Sequence, residues 1–385
     1  MPFSLVVPKS DKAQRTLLVA ANNDFNKMTA PTHTGGDFYN YGGITRNVLL
    51  HTLPAATTIE RVETFPISTS SLDVRVLLRG AATASVSLAL SFDGGAAGTP
   101  KAYPVKGGVV EIPGVAVPQA KPWSLAEPNL HTLTVSAPEL GADGVTVRFG
   151  LRVLAAEGGR LTVNGEKVKL KGYNRHTMWP DTGSALTLDQ VQQDVALIKD
   201  VNANYIRGAH YPQDQRFLDL CDENGIVIWE ETLGPGTRTS DFTDSYWLET
   251  QIIAVNEMVS ASINHPAVFF HAFYNEGPSN DPKACPGYNA SAAAIRRRTP
   301  MRPGQPQTRL VTWADNKGPK SVCLAHADVI SFNGYPAWYD PILKPSECAK
   351  TWGPKVAWAK EHFPNKPFTV RSTYFIGLCT RVLLT

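Results

Sequence analysis

The sequence predicts a multidomain protein in which a β-sandwich region is followed by an incomplete (β/α)8 barrel, also called a TIM barrel. Three observations predict it. Short β runs fill the first part of the chain, apolar strands alternate with amphipathic helices in the second part, and polar residues gather where those strands end. The 385 residues exceed one ordinary domain and leave room for a large core.

The β runs lie between about residue 15 and residue 155, and many alternate apolar and polar side chains with period two. A break at Pro54 divides them. We predict an immunoglobulin-like sandwich over 55–156. The runs in 1–54 are too few to close a sandwich and indicate the end of a domain whose beginning is absent. The clearest runs are "RTLLVAANN", "ITRNVLLHTLP", "IERVETF", "SLDVRVLLRG", "ASVSLALSF", "HTLTVSA" and "VTVRFGLRVLAA".

A hairpin with Asn-Gly at its turn, in "EGGRLTVNGEKVKL", leads into the third region, 157–385. Near-continuous apolar strands now alternate with helical patterns, which is typical of parallel strands covered by helices. The seven strand candidates are "KLKGYNRH", "ANYIRGAHYP", "IVIWEE", "AVFFHAFYNE", "RLVTWAD", "DVISFNGYP" and "PFTV". The clearest helices are "TLDQVQQDVALIKDV", "DQRFLDLCDENG" and "SYWLETQIIAVNEMVSAS".

Polar residues distinguish the two architectures that cover parallel strands with helices. A doubly wound sheet collects its site at one switch point, usually beside a glycine-rich turn, and no GxGxxG motif is present. In a barrel every strand delivers its last residues to one mouth. Polar residues end almost every strand here, so we predict the barrel. They are Asn174, Arg175, His176, Arg207, His210, Glu230, Glu231, Asn275, Glu276, Asp315, Asn333 and Tyr335.

Charge and composition argue against several kinds of partner. The 37 basic and 34 acidic residues give a formal net charge of +3, so we expect neither a nucleic-acid nor a membrane partner. The 5 cysteines lack metal-ligand spacing, and we interpret them as free or buried thiols. No signal peptide is visible, which makes a cytoplasmic location the default expectation.

The residue types at the predicted mouth suit a polyhydroxylated ligand. Glu, Asn, His and Arg side chains bond hydroxyl groups, and tryptophan faces pack on the apolar faces of a sugar ring. A carbohydrate is therefore the expected partner. The candidate tryptophans, each with ordinary core packing as its alternative, are Trp179, Trp229, Trp313 and Trp338.

Five segments carry a resemblance to a known family. They are "GGDFYNYGGITRNVLLHTLP", "LKGYNRHTMWPDTG", "NYIRGAHYPQDQRFLDLCDENGIVIWEE", "NHPAVFFHAFYNE" and "DVISFNGYPAWYD". The third and fourth resemble the signature segments of glycoside hydrolase family 2, which contains β-galactosidases, β-glucuronidases and β-mannosidases. The first is similar to the end of its sugar-binding jelly roll, and the others resemble barrel strands. The resemblance implies a retaining exo-β-glycosidase of the β-galactosidase or β-glucuronidase type.

Retaining glycosidases use two carboxyl groups, one that donates a proton to the leaving oxygen and one that attacks the anomeric carbon. The resemblance assigns the proton donor, the general acid/base, to Glu276 in "HPAVFFHAFYNEGPSN". The alternatives for Glu276 are an ion pair with Arg207 and a helix cap. Asn275 matches the residue that bonds the neighbouring sugar hydroxyl. Arg207 matches an arginine that lies beneath the second carboxylate.

The same resemblance implies further substrate contacts. His176 and His210 match histidines of the sugar pocket, although either alone would more often be structural. Tyr335 matches a tyrosine that bonds the nucleophile. Asp37 matches an aspartate that the jelly roll brings to the pocket, with an exposed loop residue as its alternative. The remaining substrate-binding candidates are Asn174, Asn333 and Trp338.

The loop "IWEETLGPG" departs from the galactosidase type, in which this loop supplies a magnesium ligand. The glutamate and histidine expected there are not present, so we predict no metal, and we predict no cofactor. Glu230 and Glu231 are then structural or supporting groups.

The second carboxylate is expected from the seventh strand, where residues 366–370, "KPFTV", follow the family pattern. The chain diverges after Val370, and no Asp or Glu follows Glu361. We therefore expect the nucleophile, the eighth strand and the start of the jelly roll to be missing, and hydrolysis to be weak or nil. A frameshift, a retained intron or a gene-model error is our hypothesis for the tail. Two alternatives stay open: a non-catalytic carbohydrate-binding protein and a truncated product without function.

Overall fold

The computed structural model describes residues 41–80, 83–141, 143–232, 234–299, 307–335 and 348–371, together with 4–9, 11, 14, 16–24, 38 and 39 nearer the N-terminus. Asp37, Trp338 and the residues after Arg371 lie outside the described part of the chain. The roles expected of Asp37 and Trp338, and of the tail, therefore stay predictions.

The described residues before Thr58 form neither strands nor helices, unlike the β runs predicted there. Most of their side chains are exposed, as at Leu18, Val48 and Leu50. A strand needs a hydrogen-bonded neighbour, and none of the described strands pairs with these runs. Alternating side chains alone therefore do not make a strand here. The jelly-roll assignment of 1–54 stays a prediction.

Two antiparallel sheets share one core in the region that follows. The described strands are β1 (Thr58–Pro66), β2 (Ser71–Arg79), β3 (Ser85–Phe92), β4 (Lys101–Pro104), β5 (Val109–Ala116), β6 (His131–Ala137) and β7 (Asp143–Phe149). They pair in the orders β1-β2-β5 and β4-β3-β6-β7. Val74, Leu88 and Leu133 are fully buried, and their sequence neighbours mostly face away from the core, as the period-two pattern predicts. The immunoglobulin-like assignment stays a prediction.

A small antiparallel sheet connects these sheets to the parallel strands. It contains β8 (Leu154–Glu157), β9 (Arg160–Val163) and β10 (Glu166–Lys167). Asn164 and Gly165 form the turn between β9 and β10 with φ of 54° and 83°. Asn-Gly favours this left-handed backbone, so the predicted hairpin is present.

Seven parallel strands follow in chain order within the described residues. They are β11 (Gly172–Arg175), β12 (Tyr205–Gly208), β13 (Val227–Thr232), β14 (Val268–Phe273), β15 (Leu310–Thr312), β16 (Ile330–Asn333) and β17 (Phe368–Arg371). β11 to β15 form one sheet, β16 pairs with β17, and a bridge between Asp315 and Phe332 links the two groups. Each predicted strand is present, in the order of a TIM barrel. The described residues contain no eighth parallel strand, and the incomplete barrel stays a prediction.

Helices lie between these strands. They are α1 (Leu188–Asp200), α2 (Gln215–Asn224), α3 (Ser245–Ser262), α4 (Cys285–Arg298) and α5 (Cys348–His362), with short 3-10 turns at Thr239–Thr243, Pro282–Ala284, Gly318–Lys320 and Leu324–His326. A capping box of Thr187 and Gln190 begins α1, and Gly225, with φ of 65°, ends α2. None of the described helices is both long and apolar enough to span a membrane.

The cysteines correct one expectation. Cys285, at the start of α4, and Cys323, in the loop after β15, form a disulfide bond, whereas the sequence predicts thiols. The two residues lie 38 positions apart, so only the packing of the two loops brings them together. Cys221 is a buried free thiol, as expected.

Candidate active site

The carboxyl ends of the parallel strands bring most of the predicted site residues to one mouth. Asn174 of β11 lies opposite Arg207 of β12. Partners in a parallel ladder point to the same face, so both side chains share the barrel interior. Asn275 and Glu276 follow β14 closely, and Asn333 ends β16. The mouth is therefore built from neighbouring strands, as the sequence predicts.

Arg207 is fully buried at the centre of the mouth, and Glu231 neutralises it. Arg207 Nε and Nη2 donate to the two carboxylate oxygens of Glu231, each at 2.9 Å. His210 Nδ1 lies 2.5 Å from Glu231 Oε1, and Trp229 Nε1 donates to Oε2 at 2.5 Å. Burial alone would raise the pKa of Glu231, but Arg207 and His210 outweigh it and lower that pKa to about 2. Glu231 is therefore ionised at neutral pH, and its supporting role stays a prediction.

Asn275 is oriented through its side-chain oxygen. Arg207 Nη2 donates to Asn275 Oδ1 at 2.6 Å, and Asn333 Nδ2 donates to the same oxygen at 3.3 Å. Among the described residues the amide NH₂ group of Asn275 has no acceptor, so it can donate to a ligand hydroxyl. This geometry suits the hydroxyl-binding role predicted for Asn275.

Glu276 stands on a sharp backbone turn. Its φ is 56° and that of Tyr274 is 50°, in the left-handed region that residues other than glycine rarely adopt. The backbone amide of Glu276 donates to Ala314 O at 2.8 Å. A side chain on Gly277 would meet the hydroxyl oxygen of Tyr288 at 2.5 Å. The backbone and the packed Tyr288 together fix the direction of this turn.

Three donors contact the Glu276 carboxylate. Asn333 Nδ2 donates to Oε1 at 2.6 Å and the Tyr335 hydroxyl donates to Oε1 at 3.3 Å, whereas Asn316 Nδ2 donates to Oε2 at 3.0 Å. None of the ion pairs of the described residues joins Glu276 to Arg207, and Glu276 caps none of the described helices. The contact predicted between Tyr335 and a nucleophile stays a prediction.

An aromatic wall borders the mouth at β11 and β12. The rings of His176 and His210 lie 5.4 Å apart, centroid to centroid. Phe38 stacks on His176 at 4.8 Å and lies 5.8 Å from His210. The hydroxyl oxygen of Tyr211 is 3.4 Å from His176 Nδ1. The apolar face of a sugar ring could pack against this wall.

Two of the candidate tryptophans belong to the core. Trp229 and Trp313 are 0% and 1% exposed, so neither offers a face to a ligand, and core packing replaces the predicted sugar contact. Trp179 is half-buried, and its indole donates to Asp194 at 3.1 Å. The aromatic surface that a ligand meets is therefore smaller than the sequence predicts.

Sequence reasoning missed Asn316 and Phe38, each of which adjoins a residue that it named. Asn316 follows Asp315, which the pattern of strand ends includes, and Phe38 follows Asp37. The Asp315 carboxylate accepts from Ser279 Oγ at 2.5 Å and from two backbone amides of its own loop. It thereby ties the loop that carries Asn316 to the turn after Glu276.

One group of described residues could hold a metal ion, and it lies near the amino ends of the strands. Asp219, Asp222 and His265 place three potential ligand atoms within 4.8 Å of one another. His265 Nδ1 is already 2.6 Å from Asp222, and Asp219 pairs with Arg148 at 2.6 Å. These partners account for the cluster without an ion.

The parallel strands carry an Asn-Glu pair and two histidines at their carboxyl ends, which is the arrangement that the resemblance to glycoside hydrolases implies. Residues 154–374, more than half of the chain, match the model of the TIM barrel domain of glycosyl hydrolases family 2. The chain belongs to glycoside hydrolase family 2.

Two curated relatives and one solved structure illustrate the similarity. The chain is 27% identical over 377 residues to the β-galactosidase BgaC of Bifidobacterium adolescentis, which covers 87% of this chain and 34% of that protein. It is 27% identical over 314 residues to a β-glucuronidase of Chlorocebus aethiops, covering 79% and 47%. A β-galacturonidase of Eisenbergiella tayi bound to galacturonate superposes with a TM-score of 0.80 at 26% identity, covering 91% and 62%. The chain thus spans about a third to a half of these curated relatives.

Proposed function

We propose that the mouth binds the terminal sugar of a β-glycoside and that Glu276 is the general acid/base of a retaining exo-β-glycosidase site. The observation that carries the proposal is the Asn275–Glu276 pair after β14, oriented by Arg207 and Asn333. In such a site the acid protonates the glycosidic oxygen as its bond to the anomeric carbon breaks. The hydrogen bond from the asparagine to the neighbouring hydroxyl strengthens in the transition state.

The described mouth offers no free carboxylate for the second role. In retaining enzymes the two carboxyl groups stand about 5–5.5 Å apart. Glu231 is unsuited to attack because Arg207, His210 and Trp229 occupy both of its oxygens. The sequence carries no Asp or Glu after Glu361. We propose accordingly that this chain binds the sugar and hydrolyses it weakly or not at all.

The relatives favour a galactoside or a uronide as the terminal sugar. Their names include β-galactosidase and β-glucuronidase, and the similar structure holds galacturonate. Within the described mouth, Arg207 is already neutralised by Glu231 and is poorly placed to bind a uronate carboxylate. Recognition of the sugar hydroxyls by Asn275 and the aromatic wall fits either class.

Calorimetric titration of the full chain with galactose, glucuronic acid and galacturonic acid tests the binding proposal. We expect saturable binding of at least one sugar, and a severalfold loss of affinity in Asn275→Ala because a hydroxyl contact is removed. Glu230→Gln is the matched control, since Glu230 lies on the outer face of β13 and its carboxylate accepts from the backbone of Gln213. A cooperatively folded chain that binds none of the three sugars would contradict the proposal.

Hydrolysis of 4-nitrophenyl β-glycosides tests the turnover proposal separately. We expect a rate close to that of the uncatalysed reaction and no further loss in Glu276→Gln, because the covalent intermediate cannot form. Turnover comparable to that of a family enzyme and abolished by Glu276→Gln would refute weak turnover while supporting the role of Glu276. A non-cooperative melt together with no binding would instead favour a product without function.

A further inference from the structure

Two buried arginines meet at the base of the barrel, where the strands begin and the antiparallel sheets adjoin. Arg152 follows β7, and Arg309 precedes β15; their exposed fractions are 3% and 7%. Both line one cavity of about 10 Å³, together with Gly150, Asn264 and Pro266. That volume is about what one water-sized species needs.

Backbone carbonyls are the acceptors of both guanidinium groups. Arg152 donates to Pro266 O at 2.6 Å, to Val268 O at 3.0 Å and to Thr308 O at 3.1 Å. Arg309 donates to the same Thr308 O at 2.6 Å, and to the carbonyl oxygens that precede β14, at 2.6 and 3.0 Å. The shared carbonyl brings two cations to one point, and no ion pair of the described residues includes either of them.

Carboxylates do not line this cavity. Its lining contains two guanidinium groups, those of Arg152 and Arg309, together with uncharged residues. Of the carboxylates nearby, Asp219 pairs with Arg148, and burial raises the pKa of Glu230. Asp222 is also committed to His265 at 2.6 Å and to the Ala267 amide at 2.9 Å. Neither guanidinium group in the lining is therefore paired with a carboxylate among the described residues.

A buried cation that lacks a counter-charge is costly, and arginine does not escape the cost by losing its proton. Burial accordingly lowers the pKa of Arg309 to about 10. The Nε–H group of Arg309 is buried and has no acceptor among the described residues. The cavity thus combines an excess of positive charge, a free donor and room for one small species.

We propose that this cavity binds one small monovalent anion, supplied as chloride in ordinary buffers, between Arg152 and Arg309. The anion accepts from Arg309 Nε and neutralises the excess charge. Because Gly150 and Arg152 belong to the segment after β7 and Arg309 belongs to the barrel, the anion joins the two regions. It does not depend on the sugar site.

Diffraction from crystals of the full chain in sodium bromide, collected at the bromine absorption edge, tests the site directly. The expected result is an anomalous peak within hydrogen-bonding distance of Arg309 Nε. A water at this position without anomalous signal, or bromide bound only at exposed side chains, would overturn the proposal. This measurement needs no variant and therefore does not depend on whether a substituted chain folds.

Thermal unfolding supplies the second test. At constant ionic strength, replacing gluconate by chloride should raise the midpoint of the full chain saturably, by about 2–4 °C. Arg309→Met should abolish the shift. Arg296→Met, which removes an exposed ion pair with Asp328 (2.7 Å), should keep it. Equal midpoints in the two salts would contradict the proposal.

Discussion

The mouth and the base of the barrel both bury arginine, and they stabilise it differently. At the mouth, Arg207 forms a double hydrogen bond with the carboxylate of Glu231. At the base, Arg152 and Arg309 donate to backbone carbonyls that have dipoles but no net charge. The mouth is thus neutral at its centre and keeps hydrogen-bonding groups for a ligand, whereas the base uses its donors to hold chain segments together.

This difference predicts different costs of substitution. Removing the carboxylate at the mouth leaves a buried charge behind, whereas removing an arginine at the base takes a buried charge away. The consequences for stability should therefore be largest at the mouth, even though the base forms more hydrogen bonds to its arginines.

The largest effect is expected from Glu231→Gln. Breaking a buried ion pair typically costs 3–5 kcal/mol because the remaining charge is uncompensated, so we expect the free energy of unfolding to fall by about 3 kcal/mol or more. Urea unfolding measures this. Glu230→Gln is the control on the other face of the same strand. Its loss should be below about 1 kcal/mol, because burial already raises the pKa of Glu230 and its carboxylate lacks an arginine partner among the described residues. Similar losses in both variants would contradict the idea that the ion pair with Arg207 makes Glu231 more important for stability than Glu230.

Acid pH should lower the free energy of unfolding by an amount comparable to that expected for Glu231→Gln. The pKa of Glu231 falls from its ordinary value of 4.5 to about 2 on folding, so its contribution is complete above the unfolded value and is lost as pH falls between the two. The size is on the order of 3 kcal/mol. Urea unfolding at a series of pH values should show this loss in the parent chain and a flatter acid limb in Glu231→Gln. The same loss of unfolding free energy at acid pH in both chains would count against this role of Glu231.

A smaller loss is expected at the base. Arg152→Met removes three hydrogen bonds to buried carbonyls but also removes a charge, so we expect about 2 kcal/mol. Arg148→Met is the matched control, because Arg148 is 31% exposed and its ion pairs with Asp219 and Glu223 should contribute less than about 1 kcal/mol. Chemical denaturation of both variants checks the order. A loss at Arg152 larger than that of Glu231→Gln would reverse the comparison.

The smallest effect on stability is expected from His176→Ala, which should act on binding instead. Loss of one wall of the pocket should weaken sugar affinity about tenfold, whereas the free energy of unfolding should change by less than about 1 kcal/mol. Calorimetry and urea unfolding measure the two quantities. His326→Ala, in the loop before β16 at the base, should change neither. Unchanged affinity in His176→Ala would exclude this histidine from the pocket.

The parallel strands were predictable because strands covered on both faces are apolar along most of their length, as "IVIW" and "AVFF" show. Helix α3 was predictable because apolar residues recur at helical spacing between Asp244, which caps it, and the polar end of "MVSAS". The sequence therefore predicts which segments form strands and helices, and which polar residues lie at the strand ends.

Contacts between distant loops were not readable in this way. The Cys285–Cys323 disulfide and the hydrogen bond from Asn316 to Glu276 both depend on how the loops after β14 and β15 pack. The burial of Trp229 and Trp313 likewise depends on side-chain direction within the barrel. In the N-terminal runs, period-two alternation describes which face would be apolar but not whether a partner strand exists.

The turn after β14 has a consequence for any attempt to move this site to another barrel. Tyr288, from α4, stacks with Phe242 and packs edge-on against Tyr274, and its hydroxyl leaves no room for a side chain on Gly277. These packed aromatic rings fix the backbone conformation that orients the Glu276 side chain. An Asn-Glu dipeptide grafted without these rings would have the same sequence, but its carboxylate would point in another direction.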